Sequence, residues 1–334
     1  MNKKQSGNKF CTGLFFYVCS YMYKHTLIKK WRDRMQKLLE ILPPFVSKAI
    51  QNKGLDLSIL EEIRMRAGQP IELIYKNHSI LTEEICSFTL LQSVLSVMSQ
   101  HSVYRLEEEL KQGYMTICGG HRIGLAGKVL IENGAVKRIR DISSINIRIA
   151  REKIGCAVQL QAYLYQNGWK NTVFIGPPAC GKTTLLRDLT RIISTGVPEQ
   201  KIFPMKVGLV DERSEIAGCV SGVPQYRLGP RVDVLDACPK AEGIMMLIRS
   251  MSPHVIVVDE LGGTADAQAV RHAVYAGVKL MVSAHGYTYT DFLSRPFIKE
   301  LTELGAFERF IELSSRKGPG TIEQIFNQTG QKIR

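Results

Sequence analysis

The pattern of hydrophobic and polar positions changes character near residue 151. Before that point a helical pattern follows Met35, and strand-like alternation is interrupted by turn residues, which predicts a small α+β domain over residues 35–151. The elements predicted there are a hairpin over residues 60–75, a helix over 89–111, a strand, glycine turn and strand over 113–124, and a second hairpin around Asn133-Gly134.

From residue 152 onward, short apolar strands alternate with helical segments. This alternation is typical of a parallel sheet with helical crossovers. The predicted strands are residues 172–176, 207–211, 255–259, 280–284 and 310–313, with a last hairpin strand near 321–326. Residues 152–334 are therefore predicted to form an α/β domain around a parallel central sheet.

A phosphate-binding motif follows the first of these strands. Residues 176–183 read GPPACGKT, which fits the pattern G-x-x-x-x-G-K-[ST]. Glycines let the backbone fold around an anion with its N–H groups pointing inward, and the positive end of the following helix attracts phosphate. The strand before the motif and the leucines at helical spacing after it supply the context that the motif requires.

The residues predicted to contact a nucleotide are those of this loop and the start of its helix. They are Gly176, Pro177, Pro178, Ala179, Cys180, Gly181, Lys182, Thr183 and Thr184. Lys182 is expected to reach the β- and γ-phosphates, and Thr183 is expected to hold Mg²⁺. ATP and Mg²⁺ are accordingly the predicted cofactors.

Carboxylates follow two of the buried strands. Asp259 and Glu260 come directly after four apolar residues, so Asp259 is predicted to bind Mg²⁺ and Glu260 to polarise the attacking water. Glu212 or Glu215, after the end of another strand, is a second candidate for orienting water or metal, and pairing with Arg213 is the structural alternative. His285 ends the fourth strand and is predicted to face the γ-phosphate or else to be a structural histidine. Ligands bind at this end of open α/β sheets, so we expect one shared cleft.

The cysteines bear on redox state and on the phosphate loop. All eight are scattered without a C-x-x-C pair, which argues against a zinc site or a disulfide framework and fits the reduced thiols of a cytosolic protein. Cys180 lies inside the loop, where positive surroundings would lower its pKa and make it reactive. The alternative is that Cys180 packs beneath the loop as a small apolar residue.

The charge of the chain is uneven. The net charge is +13, and residues 1–34 hold eight Lys and Arg against one Asp, so more than half of it lies in the first tenth of the chain. Residues 10–23 are mostly apolar, but a 14-residue helix spans about 21 Å, which is short of the about 30 Å of a bilayer core. We expect residues 1–34 to be an extension that is disordered or lies on a membrane surface.

The motifs taken together resemble those of known ATPases. The order of phosphate loop, acidic box, second carboxylate pair and histidine box over residues 276–285 resembles the type II and type IV secretion ATPases and pilus motors. The segments 62–66, 113–124, 211–216 and 259–262 more closely resemble the stage III sporulation protein AA family of endospore-forming bacteria, and the match runs from about residue 35 to about 328. Two positions depart from the secretion ATPases, which usually have histidine at the place of Val278 and often glycine at the place of Asp259.

This resemblance carries several expectations about fold and function. It implies a RecA-like P-loop ATPase that hydrolyses ATP and forms a homo-hexamer. It also implies a mother-cell cytoplasmic protein at the base of the channel that joins mother cell to forespore. There it would associate peripherally with the membrane and engage a partner similar to the inner-membrane platform protein of secretion systems.

Two other functions stay open. Similar P-loop domains occur in chloroplast and cyanobacterial proteins that carry a single-strand-binding module, so a nucleic-acid-binding ATPase is the alternative. The present sequence has no basic stripe interleaved with aromatic residues, and nucleic acid is therefore not an expected partner. The remaining option is a nucleotide-binding scaffold without turnover.

Overall fold

The computed structural model describes residues 35–52, 57–75, 78–99, 110–111, 113–132 and 134–334. The predicted extension over residues 1–34 and the part of the predicted helix over 100–109 lie outside them. The chain divides into two compact units between Ala150 and Arg151. The sequence pattern predicts this boundary one residue later.

The first unit is built on an antiparallel sheet of six strands in the order β3-β2-β1-β6-β5-β4. The strands are β1 (Leu60–Arg66), β2 (Pro70–Tyr75), β3 (His78–Ile85), β4 (Tyr114–Ile117), β5 (His121–Glu132) and β6 (Ala135–Arg148). Helices α1 (Pro44–Asn52) and α2 (Phe88–Met98) accompany the sheet, together with a helical stretch at residues 35–41. Alternate strand residues and the apolar faces of these helices share one core.

The predicted hairpins of this unit are present, and β3 is the strand that the sequence pattern missed. Along β3 only Thr82 is buried, because the strand lies at the edge of the sheet. Its apolar residues Leu81 and Ile85 are instead more than half exposed. Without burial there is no alternation to detect.

The second unit contains a seven-stranded sheet in the order β13-β12-β7-β11-β10-β8-β9. All neighbouring pairs are parallel except β12 and β13. The strands are β7 (Thr172–Gly176), β8 (Val207–Asp211), β9 (Val232–Asp236), β10 (Val255–Val258), β11 (Lys279–His285), β12 (Arg309–Ser314) and β13 (Thr321–Asn327). The helices are α3 (Gln161–Leu164), α4 (Lys182–Thr195), α5 (Lys240–Ser250), α6 (Thr264–Tyr275), α7 (Tyr289–Leu293) and α8 (Pro296–Glu303).

Helices cover both faces of this sheet. Phe174 of β7 packs with Leu185 of α4 in one core, whereas its neighbour Val173 faces a second core that contains Ile244 of α5 and Val270 of α6. Because side chains alternate across a strand, the central strands bury every residue, as their continuous apolar sequences predict. The predicted α/β fold with a parallel sheet is confirmed.

The sequence pattern does not predict strand β9. It also cannot show that β7 lies in the centre of the sheet, because strand order depends on contacts between distant segments. Strand β9 lies at the edge of the sheet with all five residues half-buried, so the sequence VDVLD carries no strong apolar signal. Strand β7 lies between β11 and β12. The loop that follows β7 is therefore flanked by the end of β11 on one side and by the β12–β13 turn on the other.

The close approach of β5 and β6 at Gly127 generates a prediction about stability. A Cβ atom there would lie 2.6 Å from the carbonyl oxygen of Arg140 and 2.7 Å from that of Asp141, where the register of the two strands shifts. We expect Gly127→Ala to lower the free energy of unfolding by about 1–3 kcal/mol, because backbone must move to make room. Gly124→Ala is the control, since a Cβ at Gly124 meets nothing nearer than 3.9 Å. Urea denaturation that finds the two variants equally stable would contradict this packing.

Candidate nucleotide-binding site

The phosphate loop spans the gap between the end of β7 and the start of α4. Gly176 is the last residue of β7, and Lys182 is the first residue of α4. Two loop residues have positive φ, Ala179 at 60° and Gly181 at 97°, and Gly181 is the N-cap of α4. This left-handed backbone favours glycine and turns the chain tightly into the helix. The helix begins with unpaired N–H groups at the place where phosphate is expected.

Lys182 is buried against its own loop. Its ammonium group donates hydrogen bonds to the carbonyl oxygens of Gly176, at 2.8 Å, and Pro177, at 2.9 Å. The side chain is 5% exposed. These two acceptors carry only partial charge, so a phosphate group would compete strongly for the same ammonium group.

Cys180 lies beneath the loop, and the prediction that its surroundings lower the pKa of its thiol is wrong. The side chain is buried, and burial raises the pKa of Cys180 above its ordinary value, although Lys182 acts in the opposite direction. The sulfur packs so closely on Gly176 that a Cβ atom there would lie 2.4 Å from it. The alternative of a packing role describes this cysteine, because desolvation outweighs the nearby positive charge.

Thr183 and Asp259 come together from separate elements. The hydroxyl group of Thr183, in the first turn of α4, donates to Asp259 Oδ2 at 2.9 Å. Asp259 directly follows β10, and its other oxygen accepts a short hydrogen bond from the hydroxyl of Ser283 on β11. The Ser283 oxygen in turn accepts the N–H of Glu260 at 3.0 Å. Ser283 thereby holds both residues of the carboxylate pair.

Glu260 is held from two sides. Its Oε1 lies 2.9 Å from Nε2 of His285, and its Oε2 lies 3.3 Å from a guanidinium nitrogen of Arg213. The backbone of Glu260 has φ 54°, a left-handed conformation that is strained for a residue with a side chain. Strain of this kind is concentrated at functional sites, where the surrounding structure enforces it. The predicted site residue His285 thus contacts Glu260 through the 2.9 Å distance between its Nε2 and the carboxylate.

The acidic segment after β8 lies beside the Asp259–Glu260 pair and forms another side of the site. Asp211 is buried, and its carboxylate accepts the N–H groups of Glu215 at 2.8 Å, Ile216 at 3.0 Å and Ala217 at 2.7 Å. Asp211 thus shapes the turn that carries Glu212 and Arg213 into the cleft. The carboxylate of Glu212 forms a short ion pair with Lys240 of α5.

The segments after β8 and β10, together with α5, line one cleft at the carboxyl ends of the strands. It is lined by Asp211, Glu212, Arg213, Glu215, Lys240, Asp259 and Glu260. The phosphate loop adjoins this cleft through the bond between Thr183 and Asp259. Pro177 and Pro178 lie in the turn between β7 and α4, and Thr184 lies in the first turn of α4, where its carbonyl oxygen faces the Cys156 thiol at 3.7 Å.

Three residues of this site were not singled out from the sequence as site residues. Ser283 is a polar residue within the otherwise apolar, buried part of β11. A single serine in such a sequence is the signal from which it could have been predicted as a site residue. Asp211 is the last residue of β8, and its acceptor role depends on how the following turn folds. Arg213 follows β8 and pairs with Glu260, which follows β10. The spacing of residues in the sequence does not show that these two segments meet.

The sheet order, the loop geometry and the cleft define a RecA-like P-loop fold. The ATPase DotB of Legionella pneumophila aligns with a TM-score of 0.54 at 14% identity, covering 81% of this chain and 76% of DotB. The pilus retraction motor PilT, solved with bound ADP, aligns with a TM-score of 0.54 at 15% identity, covering 76% of this chain and 74% of PilT.

Sequence comparison identifies the family. The profile of sporulation stage III, protein AA, matches residues 32–333. Stage III sporulation protein AA of Bacillus subtilis is 52% identical over 303 residues, which cover 90% of this chain and 97% of that protein. The chain belongs to the stage III sporulation protein AA family, as the motifs in its sequence predict.

Two further observations concern membranes and metals within the described part of the chain. None of its helices is long and apolar enough to cross a membrane. No group of three or more His, Cys, Asp and Glu side chains is placed there to hold a metal ion. Thr183 and Asp259 supply two hard oxygen atoms, so a Mg²⁺ ion between them would complete its shell with phosphate oxygens and water.

The burial of Asp211 generates a prediction with a defined pH dependence. Burial raises the pKa of Asp211 from 3.8 to about 6, despite the three N–H groups that favour its charged form. The folded protein therefore binds this proton more tightly than the unfolded chain, and the contribution of Asp211 to stability falls as pH rises from about 4 to about 6. We expect Asp211→Asn to destabilise the protein, because the amide cannot accept all three N–H groups, by about 1–3 kcal/mol at pH 7.

The pH trend of this difference is the sharper test. The stability difference between wild type and Asp211→Asn should be larger at pH 5 than at pH 7, because only the wild type has a carboxyl group that titrates at this position. Asp233→Asn on the half-buried strand β9 is the control. Urea denaturation in which the difference grows with pH would overturn the assignment.

Proposed function

We propose that the protein binds and hydrolyses ATP with Mg²⁺, and that it works as the motor of the channel between mother cell and forespore. The observation that carries the first part is the hydrogen bond between Thr183 and Asp259. It joins the phosphate loop to the carboxylate pair, so the two predicted Mg²⁺ ligands already lie within one coordination shell of each other. A hydroxyl and a carboxylate beside a phosphate loop are the ligands that P-loop nucleotide enzymes use for Mg²⁺.

The loop residues would hold the triphosphate. The N–H groups at the start of α4 and the left-handed backbone at Ala179 and Gly181 form the cradle. Lys182 would exchange the carbonyl oxygens of Gly176 and Pro177 for phosphate oxygens. Bound Mg²⁺ would neutralise developing charge on the phosphates.

Glu260 would orient and polarise the attacking water. Its carboxylate is positioned by His285 and Arg213, and its backbone by Ser283. A carboxylate held from both sides keeps one geometry, which is what a water-orienting group requires. His285 then acts on Glu260 as a positioning residue. Glu212, which was predicted as a further catalytic residue, is bound by Lys240 and would contribute charge to the cleft.

The cellular role rests on the family and on the fold. Membership of a sporulation family supports a function in endospore formation, and a fold shared with the ATPase DotB and the pilus retraction motor PilT supports mechanical work on a channel or assembly. We propose a homo-hexameric ring in the mother-cell cytoplasm. It would associate peripherally with the membrane that faces the forespore and engage an inner-membrane partner similar to a secretion platform protein.

Two substitutions separate binding from turnover. Lys182→Ala should weaken binding of a fluorescent ATP analogue by about 10- to 100-fold, because a charge-assisted hydrogen bond to phosphate is lost. Glu260→Gln should retain binding and reduce phosphate release by about 10²- to 10⁴-fold, the usual contribution of a positioned base. Glu242→Gln, on the exposed side of α5, is the matched control.

The outcomes distinguish the three functional classes. Near-normal phosphate release by Glu260→Gln would remove Glu260 from the mechanism. Tight ATP binding without phosphate release by the wild type, alone or with membrane extract, would indicate a scaffold. Strong stimulation by single-stranded DNA at physiological salt would favour the nucleic-acid-dependent ATPase.

A further inference from the structure

The end of β12 and the β12–β13 turn contact the two ends of the phosphate loop. A Cβ atom at Gly176 would lie 3.0 Å from the carbonyl oxygen of Leu313 near the end of β12. At the other end of the loop, a Cβ atom at Gly181 would lie 2.7 Å from the backbone nitrogen of Gly320. The hairpin therefore leaves no room for a side chain at Gly181, and together with the Cys180 sulfur it leaves none at Gly176.

A hydrogen bond fixes the turn to the loop. The N–H group of Gly320 donates to the carbonyl oxygen of Cys180 at 2.7 Å. The carbonyl carbon of Pro319 would lie 3.2 Å from a Cβ atom at Gly181. The turn and the phosphate loop are thus directly joined at Gly320 and Pro319.

The turn has an ordered conformation of its own. The N–H group of Gly318 donates to the carbonyl oxygen of Ser315 at 2.9 Å, and the Thr321 hydroxyl donates to the carbonyl oxygen of Gly318 at 2.7 Å. Arg316 is bound to Glu323 of β13 at 2.8 Å. A turn held in this way presents its remaining side chains in a defined direction, which lowers the entropy cost of binding a ligand.

Lys317 is the cation at the tip of this turn. It is exposed and lies two residues before Pro319, which contacts the phosphate loop. Arg316 forms an ion pair with Glu323, and the charge of Lys317 also acts on Glu323 and helps to lower its pKa. The four-carbon stem of a lysine gives its ammonium group a long reach, so Lys317 can approach an anion that lies on the loop.

The sheet order determines which part of a nucleotide meets the turn. The proposed ligand Asp259 and the proposed base Glu260 follow β10, on the β11 side of β7, and Thr183 bonds to Asp259 from α4, so we assign the γ-phosphate to that side. Strand β12 adjoins β7 on the opposite side. A nucleotide whose terminal phosphate lies near Asp259 must therefore extend its α-phosphate and nucleoside toward the β12–β13 turn.

We propose that the β12–β13 turn borders the nucleotide site on the side opposite Asp259 and that Lys317 binds the α-phosphate end of a nucleoside di- or triphosphate bound to the same subunit. This inference rests on the proposed nucleotide binding. It adds a binding residue outside the phosphate-loop motif and assigns the turn to the end of the ligand that ATP and ADP share.

Comparing ATP with ADP tests this assignment in the full chain. Fluorescent analogues of both nucleotides are titrated into wild type, Lys317→Gln and the control Lys332→Gln, which changes an exposed lysine in the segment after β13. Lys317→Gln should weaken ATP and ADP alike by about 5- to 10-fold, because a charge-assisted contact to a shared phosphate is lost. Lys332→Gln should bind both as the wild type does.

The other outcomes overturn one proposal or the other. A wild type that binds neither nucleotide contradicts the proposed function itself. A wild type that binds both, with unchanged affinities in Lys317→Gln, contradicts the role of Lys317. Loss of ATP affinity alone would place this lysine at the γ-phosphate, and loss of turnover at unchanged affinity would place it at a neighbouring subunit's site. Each of these last results would overturn the assignment to the α-phosphate end.

Discussion

The hydrogen bond between Thr183 and Asp259 connects the two halves of this site. Thr183 belongs to the helix after β7, and Asp259 follows β10, two strands away in the sheet. The bond is possible because β7, β11 and β10 run parallel and end at the same edge. Ser283 on the intervening strand holds the second oxygen of Asp259, so β11 supplies one partner and the segments after β7 and β10 supply the other two.

The strained backbone of Glu260 follows from this arrangement. Glu260 takes a left-handed backbone while Ser283 accepts its N–H group and His285 contacts its carboxylate. Such a conformation costs a residue with a side chain on the order of 1–3 kcal/mol and persists only where neighbouring contacts enforce it. Gly181 also has a positive φ, which costs glycine little, and the backbone of Gly320 leaves no room for a side chain there.

The parts of the structure that could be predicted are those with a strong local signal. The spacing of the phosphate-loop motif and the continuous apolar runs of β7 and β10 determine local backbone and burial, so the loop and the central strands could be located. Asp259 and Glu260 could be placed at a cleft because parallel strands end at a shared edge. The edge strands β3 and β9 lack this signal, since few of their residues are buried.

The contacts between distant residues could not be predicted. The thiol of Cys180 faces the interior because the loop closes over it, and local charge therefore gave the wrong sign for the change in its pKa. Arg213 meets Glu260 only because β8 and β10 are neighbours. The β12–β13 turn touches the phosphate loop because β12 adjoins β7, although well over a hundred residues separate Gly181 from Gly320 in sequence.

The dependence of ATP binding on Mg²⁺ in Thr183→Val shows whether the bond between Thr183 and Asp259 marks the Mg²⁺ site. Valine keeps the shape of threonine and removes the hydroxyl group that bonds to Asp259, and Thr195→Val, at the exposed far end of the same helix, is the control. Dissociation constants for ATP are measured with Mg²⁺ and with a chelator. We predict that Mg²⁺ tightens ATP binding by the wild type and by Thr195→Val, and that Thr183→Val loses this tightening while its binding without Mg²⁺ is unchanged. An undiminished Mg²⁺ effect in Thr183→Val would contradict this assignment.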